Sequence, residues 1–554
     1  MMQMTGAELI LRLLERQGIE TVCGIPGGAI LPFYDALGQC DTIHHVLARH
    51  EQGGGFMAQG MARVSGKPEV CLASSGPGAT NLVTAIADAK LDSIPMVAIT
   101  GQVPLGMIGT DAFQEVDTYG MTIPLTKHNF LVRDANDLLQ VIPEAFRIAM
   151  SGRPGPVLID VPKDVQCQMV SFEDYPPVAV PDALPALDLA AIEKAAEMIN
   201  AAERPVLYLG GGVIHSGASH LAVTLAEQGG LPTTMTLMAL GTMPIDHPLS
   251  IGMLGMHGAR YTNYVLEEAD LLICVGARFD DRAIGKAAEF CPRAKIIHVD
   301  IDPAELHKIK TAHIGITGDV TQVVEALLPL VQVKLREPWL AQVADLKERF
   351  PLAKPNIDNP RSHYGLVQAV ADALDDEAVI ATDVGQHQMW VAQAYPFRRP
   401  RQWLTSGGLG TMGFGLPTAI GAALAAPERT VVCFTGDGSL KMNIQEMATL
   451  AEEELNVKIV LMNNNSLGLV YQQQNMFYGQ RPVASKYKRA VNFLKIAEGF
   501  GLDAVDLDTA EDPAATLAEA LQRPGPCLIH CSIDREEFVY PMVPPGAANT
   551  EMIG

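Results

Sequence analysis

VVCFTGDGSL (431–440) and KIVLMNNNSLG (458–468) are the two stretches that decide the fold. Each is a short, apolar, β-branched run ending on turn residues, as expected of a strand buried on both faces of a parallel sheet. A helical pattern from about Asn443 to Glu454 lies between them, and Asn463 follows Gly436 by 27 positions, a natural length for one βαβ unit. Both turns therefore fall at the carboxyl edge of neighbouring strands, where open α/β sheets bind ligands. There Asp437 offers a carboxylate, Asn464 a carboxamide oxygen, and the turn after Asn464 a backbone carbonyl, that of Ser466. Three such oxygens, with diphosphate oxygens and a water, complete the octahedral shell of Mg²⁺. Gly436 and Gly438 let the backbone approach a phosphate closely. A Gly-Asp-Gly turn alone reads as an ordinary turn; the second turn at this spacing favours the ligand site.

The same alternation of Val/Ile/Leu runs with helical patterns extends along the chain. It predicts an α/β fold of parallel sheets flanked by helices. SFEDYPPVAVPDALPALD (171–188) and PLAKPNIDNPRS (351–362) break the rhythm with proline and read as linkers. They predict three domains, 1–170, 189–345 and 363–535. A tail over 536–554, too rich in Pro and Gly for a helix, is expected to lie over the surface or close a site. The first and third blocks share one style of strand, Gly-rich turn, helix and strand, which hints at related folds. Near the N-terminus Thr5 and Glu8 fit a capping box, Leu9, Leu13 and Leu14 begin an apolar stripe, and Gly18 fits the stop.

Composition narrows the function. A chain of 554 residues holds about three or four domains at roughly 150 residues each. Lys and Arg number 40 against 63 Asp and Glu, a net charge of −23, which argues against nucleic acid or an anionic membrane as the main partner. With 48% hydrophobic and 19% charged residues the chain is too apolar for disorder. It has no apolar run of about 18 residues, so no membrane span is expected, and its first residues lack the basic and small-residue features of a signal peptide. The nine cysteines are scattered without paired spacing and read as reduced, buried thiols. Cys527 and Cys531 share a strand face, but no CxxC or His cluster accompanies them, so no zinc site is expected.

The Gly-Asp-Gly turn followed by the Asn pair resembles the cofactor motif of thiamine diphosphate enzymes. The wider chain resembles the catalytic large subunits of acetohydroxyacid synthase (acetolactate synthase), most of all those of the isozyme I type. The likeness runs through GIPGGAILPFYDAL (24–37), ARHEQGGGFMAQGMAR (48–63), SSGPGATNLVTAIADAKLDSIP (74–95), GTDAFQEVD (109–117), TKHNF (126–130), SGRPGPVLIDVPKDV (151–165), GARFDDR (276–282) and TSGGLGTMGFGLP (405–417). It implies a pyrimidine-binding domain, a central FAD-binding, Rossmann-like domain and a diphosphate-binding domain.

The resemblance also implies roles. Glu51, which by itself reads as a solvated charge or a cap, would hydrogen-bond the aminopyrimidine N1′. Sharing that proton favours the imino form that removes the thiazolium C2 proton. The Gly410 carbonyl would accept from the 4′ nitrogen. Met412, otherwise a core methionine, would wedge between the rings. Val384, Gly385, Gln386 and His387 would reach the diphosphate, with Gly438, Ser439, Leu467, Gly468 and Leu469 beside them. Gln114 would line the site from the partner subunit. FAD would be held by Arg153, Gly210, Gly211, Gly212, Gly258, Arg260, Gly276, Arg278, Asp300 and Asp319. The residues alone support a dinucleotide weakly, since no GxGxxG is present. FAD is not consumed in carboligation, so a structural role is implied. Arg282 would hold the acceptor's carboxylate by a bidentate pair, the competing reading being an ion network with Asp280 or Asp281. Lys163 would line the channel. Gln473 stands where plant and fungal members carry a Trp that packs the acceptor pocket, so strong preference for 2-ketobutyrate is not expected.

The implied activity is decarboxylation of pyruvate and transfer of the two-carbon unit to pyruvate or 2-ketobutyrate. It needs thiamine diphosphate, Mg²⁺ and FAD. The implied assembly is at least a homodimer with a regulatory small subunit, and the expected setting is bacterial cytoplasm. The alternatives are a flavin-dependent pyruvate oxidase and a non-catalytic cofactor-binding paralogue. Intact Glu51, Asp437 and Asn464 count against the latter.

Overall fold

The computed structural model describes residues 1–554. Three six-stranded sheets dominate it, and every strand pair within them is parallel. The first sheet runs, edge to edge, His44–Leu47, Thr21–Gly24, Glu69–Ala73, Met96–Gln102, Pro156–Pro162, His128–Leu131. The third runs Trp403–Leu404, Val379–Thr382, Val431–Gly436, Val457–Asn463, Cys527–Ser532, Asp503–Asp506. Counted within its own domain, each has the order 2-1-3-4-6-5, so the shared style of the two blocks is a shared topology. The central sheet runs Ser250–Met253, Thr233–Met235, Pro205–Leu209, Leu271–Val275, Lys295–Asp300, Ile314–Thr317. That is the order 3-2-1-4-5-6 of dinucleotide-binding folds. The apolar runs form strands because helices cover both faces: Met96–Gln102, Pro156–Pro162 and Leu271–Val275 are buried at every position.

In all three sheets the strand order reverses beside the domain's first strand, and this reversal opens a crevice at the carboxyl edge; the first and third sheets reverse again at their last two strands. In the third sheet it lies between Val379–Thr382 and Val431–Gly436, in the first between Thr21–Gly24 and Glu69–Ala73, and in the central sheet between Pro205–Leu209 and Leu271–Val275.

The N-terminal helix Gly6–Arg16 starts on the expected capping box, with Leu9, Leu13 and Leu14 buried. The four residues before it form a strand instead, paired antiparallel with Met169–Phe172. The helix expected from about Asn443 to Glu454 is Glu446–Glu452, and a further short helix, Asp437–Leu440, directly follows the Gly-Asp-Gly strand. Between them the Asn443 side chain donates to the Gly413 carbonyl at 2.6 Å. The tail is more than a cover. Val539, Met542, Val543, Ala548 and Met552 are buried, and the Val543 N–H donates to the Met256 carbonyl at 2.9 Å. All nine cysteines are free thiols, seven of them buried, while Cys40 is half-buried and Cys167 exposed. No helix is long and apolar enough to cross a membrane.

The first and third domains meet through the helices Glu51–Ser65 and Gly415–Ala425. A Cβ at Gly60 would overlap the Thr418 carbonyl oxygen, and one at Gly421 would overlap that of Met57. Gly421→Ala is therefore expected to destabilise the domain contact by about 1–3 kcal/mol, as overpacking does. Calorimetric melting should show a lower Tm, while Gly106→Ala, where a Cβ meets nothing within 4 Å, leaves Tm unchanged.

Candidate active site

The turns at the third sheet's crevice come from adjacent strands, with Gly436 opposite Met462 in register. Asp437 opens a short helix immediately after its strand and is 1% exposed. Its Oδ2 lies 3.3 Å from Lys441 Nζ, while its Oδ1 is buried without a partner. Burial pushes this carboxyl up, and Lys441 opposes the shift. Asn464 Oδ1 accepts from the backbone N–H (3.2 Å) and hydroxyl (2.9 Å) of Ser466, and the Ser466 backbone also meets Asp437. Asp437, Asn464 and Ser466 thus sit in one cluster. An orphaned carboxylate oxygen among hard oxygen donors suits Mg²⁺.

Around that cluster the glycines leave room for a ligand. A Cβ at Gly438 would come 2.7 Å from Leu467 and 3.5 Å from the Met412 methyl, and one at Gly468 would overlap Gln386 Oε1. Ser439 Oγ donates to the Val384 carbonyl at 2.8 Å. Gln386 accepts from Asn464 Nδ2 at 2.9 Å and donates to Gln472 Oε1 at 3.0 Å. His387 packs between Gly385 and Gly436, its Nε2 unpartnered. Burial holds its pKa down at about 3, so the ring is neutral. Leu467 precedes the helix Gly468–Phe477, which carries Leu469 and a half-buried Gln473.

Glu51 belongs to the first sheet's crevice. It is the first residue of a helix capped by His50, and its Oε2 accepts from Asn81 Nδ2 at 2.9 Å. A Cβ at Gly78 would sit 3.4 Å from its Oε1, and one at Gly76 would be 2.8–2.9 Å from Gln114. The turn 74–81 therefore gathers Glu51 and Gln114 on one side. Lys163, half-buried, begins the short helix after the strand Pro156–Pro162 in the same sheet. Gly410 has φ 69° and lies in an exposed loop whose next turn carries Met412 beside Gly438.

In the central domain the glycines mark its crevice. The Gly212 N–H donates to the Gly276 carbonyl at 2.9 Å, and a Cβ at Gly210 would overlap that same carbonyl oxygen. A Cβ at Gly211 would be 3.3 Å from Met238, and one at Gly258 would be 2.5 Å from the Met253 carbonyl. The Arg278 carbonyl accepts from the Tyr208 hydroxyl at 3.4 Å. Asp300 ends its strand, pushed up to about 6 by burial. Arg153 crosses from the first domain to Glu305 Oε1 at 2.9 Å and Asp302 Oδ2 at 3.5 Å.

Two expected contributors also make contacts within the chain. Arg260 donates to the Gly554 carbonyl at 2.7 Å and so ties down the tail. The carboxylate of Asp319 caps the helix Val320–Leu327. The competing ion network around Arg282 is thin. Asp280 caps a helix through the Arg282 and Ala283 amides, and Asp281 lies 3.8 Å from a guanidinium that is 65% exposed.

Four neighbours were not anticipated from the sequence. Asn81 holds Glu51. Asp383, fully buried and pushed up to about 6, accepts from the Gly413 N–H at 2.7 Å and the Thr435 hydroxyl at 3.0 Å. Glu446 accepts the N–H groups of Arg49 and His50 at 3.0–3.2 Å. Lys441 pairs with Asp437. Only Asp383 carried a signal, an acid ending an apolar strand run.

Comparison with known proteins agrees with this geometry. Residues 4–121, 192–327 and 383–531 match the thiamine pyrophosphate enzyme N-terminal TPP binding, central and C-terminal TPP binding domains. The chain is 66% identical over 550 residues to the acetolactate synthase isozyme 1 large subunit of Escherichia coli (strain K12), covering 99% of this chain and 98% of that one. It is 45% identical to the isozyme 2 large subunit of the same organism, covering 99% of both. It is 44% identical to acetolactate synthase 3, chloroplastic, of Brassica napus, covering 99% of this chain and 86% of that one. The chain belongs to the acetolactate synthase large-subunit family of thiamine pyrophosphate enzymes.

Proposed function

We propose that the chain is the catalytic subunit of an acetohydroxyacid synthase. It decarboxylates pyruvate and transfers the two-carbon unit to pyruvate, giving 2-acetolactate, or to 2-ketobutyrate, giving 2-aceto-2-hydroxybutyrate. These products begin branched-chain amino-acid synthesis. The observation that carries the reading is the buried, orphaned Asp437 oxygen clustered with Asn464 and Ser466 at the third sheet's crevice, in a chain two-thirds identical to a named acetolactate synthase.

When bound, thiamine diphosphate supplies the electron sink that decarboxylation of a 2-ketoacid requires. Asp437, Asn464 and the Ser466 carbonyl would hold Mg²⁺ against its diphosphate. Val384 to His387, Gly438, Ser439 and Leu467 to Leu469 would line the cradle. Glu51 would hold a proton at the aminopyrimidine N1′, its carboxylate oriented by Asn81. The Gly410 carbonyl would accept from the 4′ nitrogen and Met412 would support the ring. Arg153, Gly210 to Gly212, Gly258, Arg260, Gly276, Arg278, Asp300 and Asp319 would hold a structural FAD at the central crevice. Arg282, its guanidinium largely free, receives the acceptor carboxylate. Lys163 and Gln473 line the approach.

The active form is a homodimer or higher, with Glu51 and Gln114 of one copy facing Asp437 of the other. Exposed apolar side chains support this: Phe113 is 87% exposed beside Gln114, and Met107, Tyr119 and Ile123 are exposed near it in sequence. A regulatory small subunit completes the enzyme, which works in bacterial cytoplasm.

Glu51→Gln preserves size but weakens the shared proton. The expected loss in kcat is on the order of 10²-fold, with slower C2 proton exchange of the bound cofactor by NMR; native exchange would refute the role. Asp437→Ala is expected to weaken binding of Mg²⁺ and thiamine diphosphate in calorimetry, with partial rescue at high concentrations of both. The two acceptors differ by one methylene, a difference worth about 1–3 kcal/mol in a well-shaped apolar pocket. With Gln473 in place, competition at equal pyruvate and 2-ketobutyrate should yield products nearly in proportion to supply. Gln473→Trp should shift the ratio toward 2-aceto-2-hydroxybutyrate.

A further inference from the structure

A buried ionic cluster between the first and third domains has no part in the chemistry described above. Arg63, Asp88 and Asp92 are 6%, 0% and 5% exposed. One guanidinium nitrogen of Arg63 lies 2.8 Å from Asp92 Oδ2 and 3.5 Å from Asp88 Oδ1, and also donates to Gln59 Oε1 at 3.0 Å. The guanidinium stands 5.0 Å from the centre of the Phe414 ring. Burying two carboxylates on one cation is a poor route to stability, because their desolvation offsets the attraction.

The acceptors of this cluster all point at one loop. Asp92 accepts the N–H of Gly407 at 3.0 Å and of Gly408 at 2.7 Å. Asp88 Oδ2 accepts the hydroxyls of Ser406 and of Thr411, the latter at 2.8 Å. Ser406 Oγ in turn accepts the Thr411 N–H at 2.9 Å. The glycine pair permits the approach: a Cβ at Gly408 would stand 2.8 Å from that of Leu91 and 3.0 Å from Asp92 Oδ1. Five hydrogen bonds thus bind residues 406–411 to two carboxylates of another domain or to one another. Gly410 lies inside that span and Met412 directly after it, while the loop's outer face, Gly408 to Gly410, is exposed.

We propose that Asp88 and Asp92 are positioning residues, which hold the 406–411 loop so that the Gly410 carbonyl and the Met412 side chain meet thiamine diphosphate in its reactive geometry. This rests on the reading of Gly410 and Met412 given above. The carboxylates touch neither cofactor nor substrate. They act through the loop, and Arg63 holds them in place. Because the cofactor's metal and diphosphate are held elsewhere, at Asp437 and Asn464, loosening the loop should leave binding intact and slow activation of the bound cofactor.

The test compares Asp88→Asn, Asp92→Asn, Thr411→Val and Thr411→Ser with the native full chain loaded with Mg²⁺, FAD and thiamine diphosphate. Calorimetry gives cofactor affinity, and acid-quench NMR gives C2 proton exchange in the bound fraction. The expected result is affinity within about threefold of native and exchange slowed about tenfold or more in both Asn variants, since displacements near 1 Å can cost up to 10²-fold. Thr411→Val should slow exchange and Thr411→Ser restore it. Native exchange in both Asn variants, or equal rates for Thr411→Val and Thr411→Ser, would overturn the proposal. So would loss of affinity with normal exchange in the bound fraction. If the Asn variants do not fold, the two Thr411 variants decide it. Native exchange in Glu51→Gln would instead count against the cofactor reading itself.

Discussion

Two helices touch backbone to backbone where Glu51–Ser65 crosses Gly415–Ala425, and the rest of the molecule is arranged around that contact. Gly60 and Gly421 bring carbonyl oxygens into space that a side chain would fill. Interiors pack at crystal-like density, so such a contact defines the angle and separation of the two domains closely. The same helices end at functional groups: Glu51 begins one, and the other follows the Gly410–Met412 loop. A small slip at the crossing would therefore move both ends of the reaction machinery relative to each other.

Duplication of the 2-1-3-4-6-5 sheet explains how one architecture supplies opposite halves of a site. Each copy reverses its strand order beside its first strand and so has a crevice there at its carboxyl edge. The third sheet's crevice has been furnished with glycines and hard oxygen donors, suited to phosphate and a cation. In the first sheet the crevice carries a carboxylate and an amide, suited to a nitrogen heterocycle. The central sheet departs from this order, and its crevice is lined by glycine backbone from Gly210 to Gly212 and at Gly276. Topology supplies the location in each case, and the side chains supply the chemistry.

Much of this was legible in the chain. The parallel α/β class followed from apolar runs ending on glycine, the adjacency of the two turns from the 27-residue spacing, and the first helix from Thr5 and Glu8. What escaped reading depended on contacts between residues far apart in sequence. Asn443 reaches the Gly413 carbonyl, 30 positions away, and Arg260 meets the tail's carbonyls. Asn81, Glu446 and the Arg63–Asp88–Asp92 cluster are ordinary polar residues in helical stretches until tertiary packing gives them partners.

The lysine beside Asp437 bears on the order of events in assembly. Lys441 places an ammonium 3.3 Å from the carboxylate and 3.4 Å from the centre of the Tyr487 ring. A buried anion without a counter-charge is costly, and many metal sites are ordered only when the metal arrives. Here the chain carries its own provisional counter-ion, so the crevice can reach its folded form in electrical balance beforehand. A divalent ion arriving at Asp437 would then take over from one cation rather than neutralise a bare charge. The displaced ammonium would retain the electron-rich face of Tyr487 as a resting place.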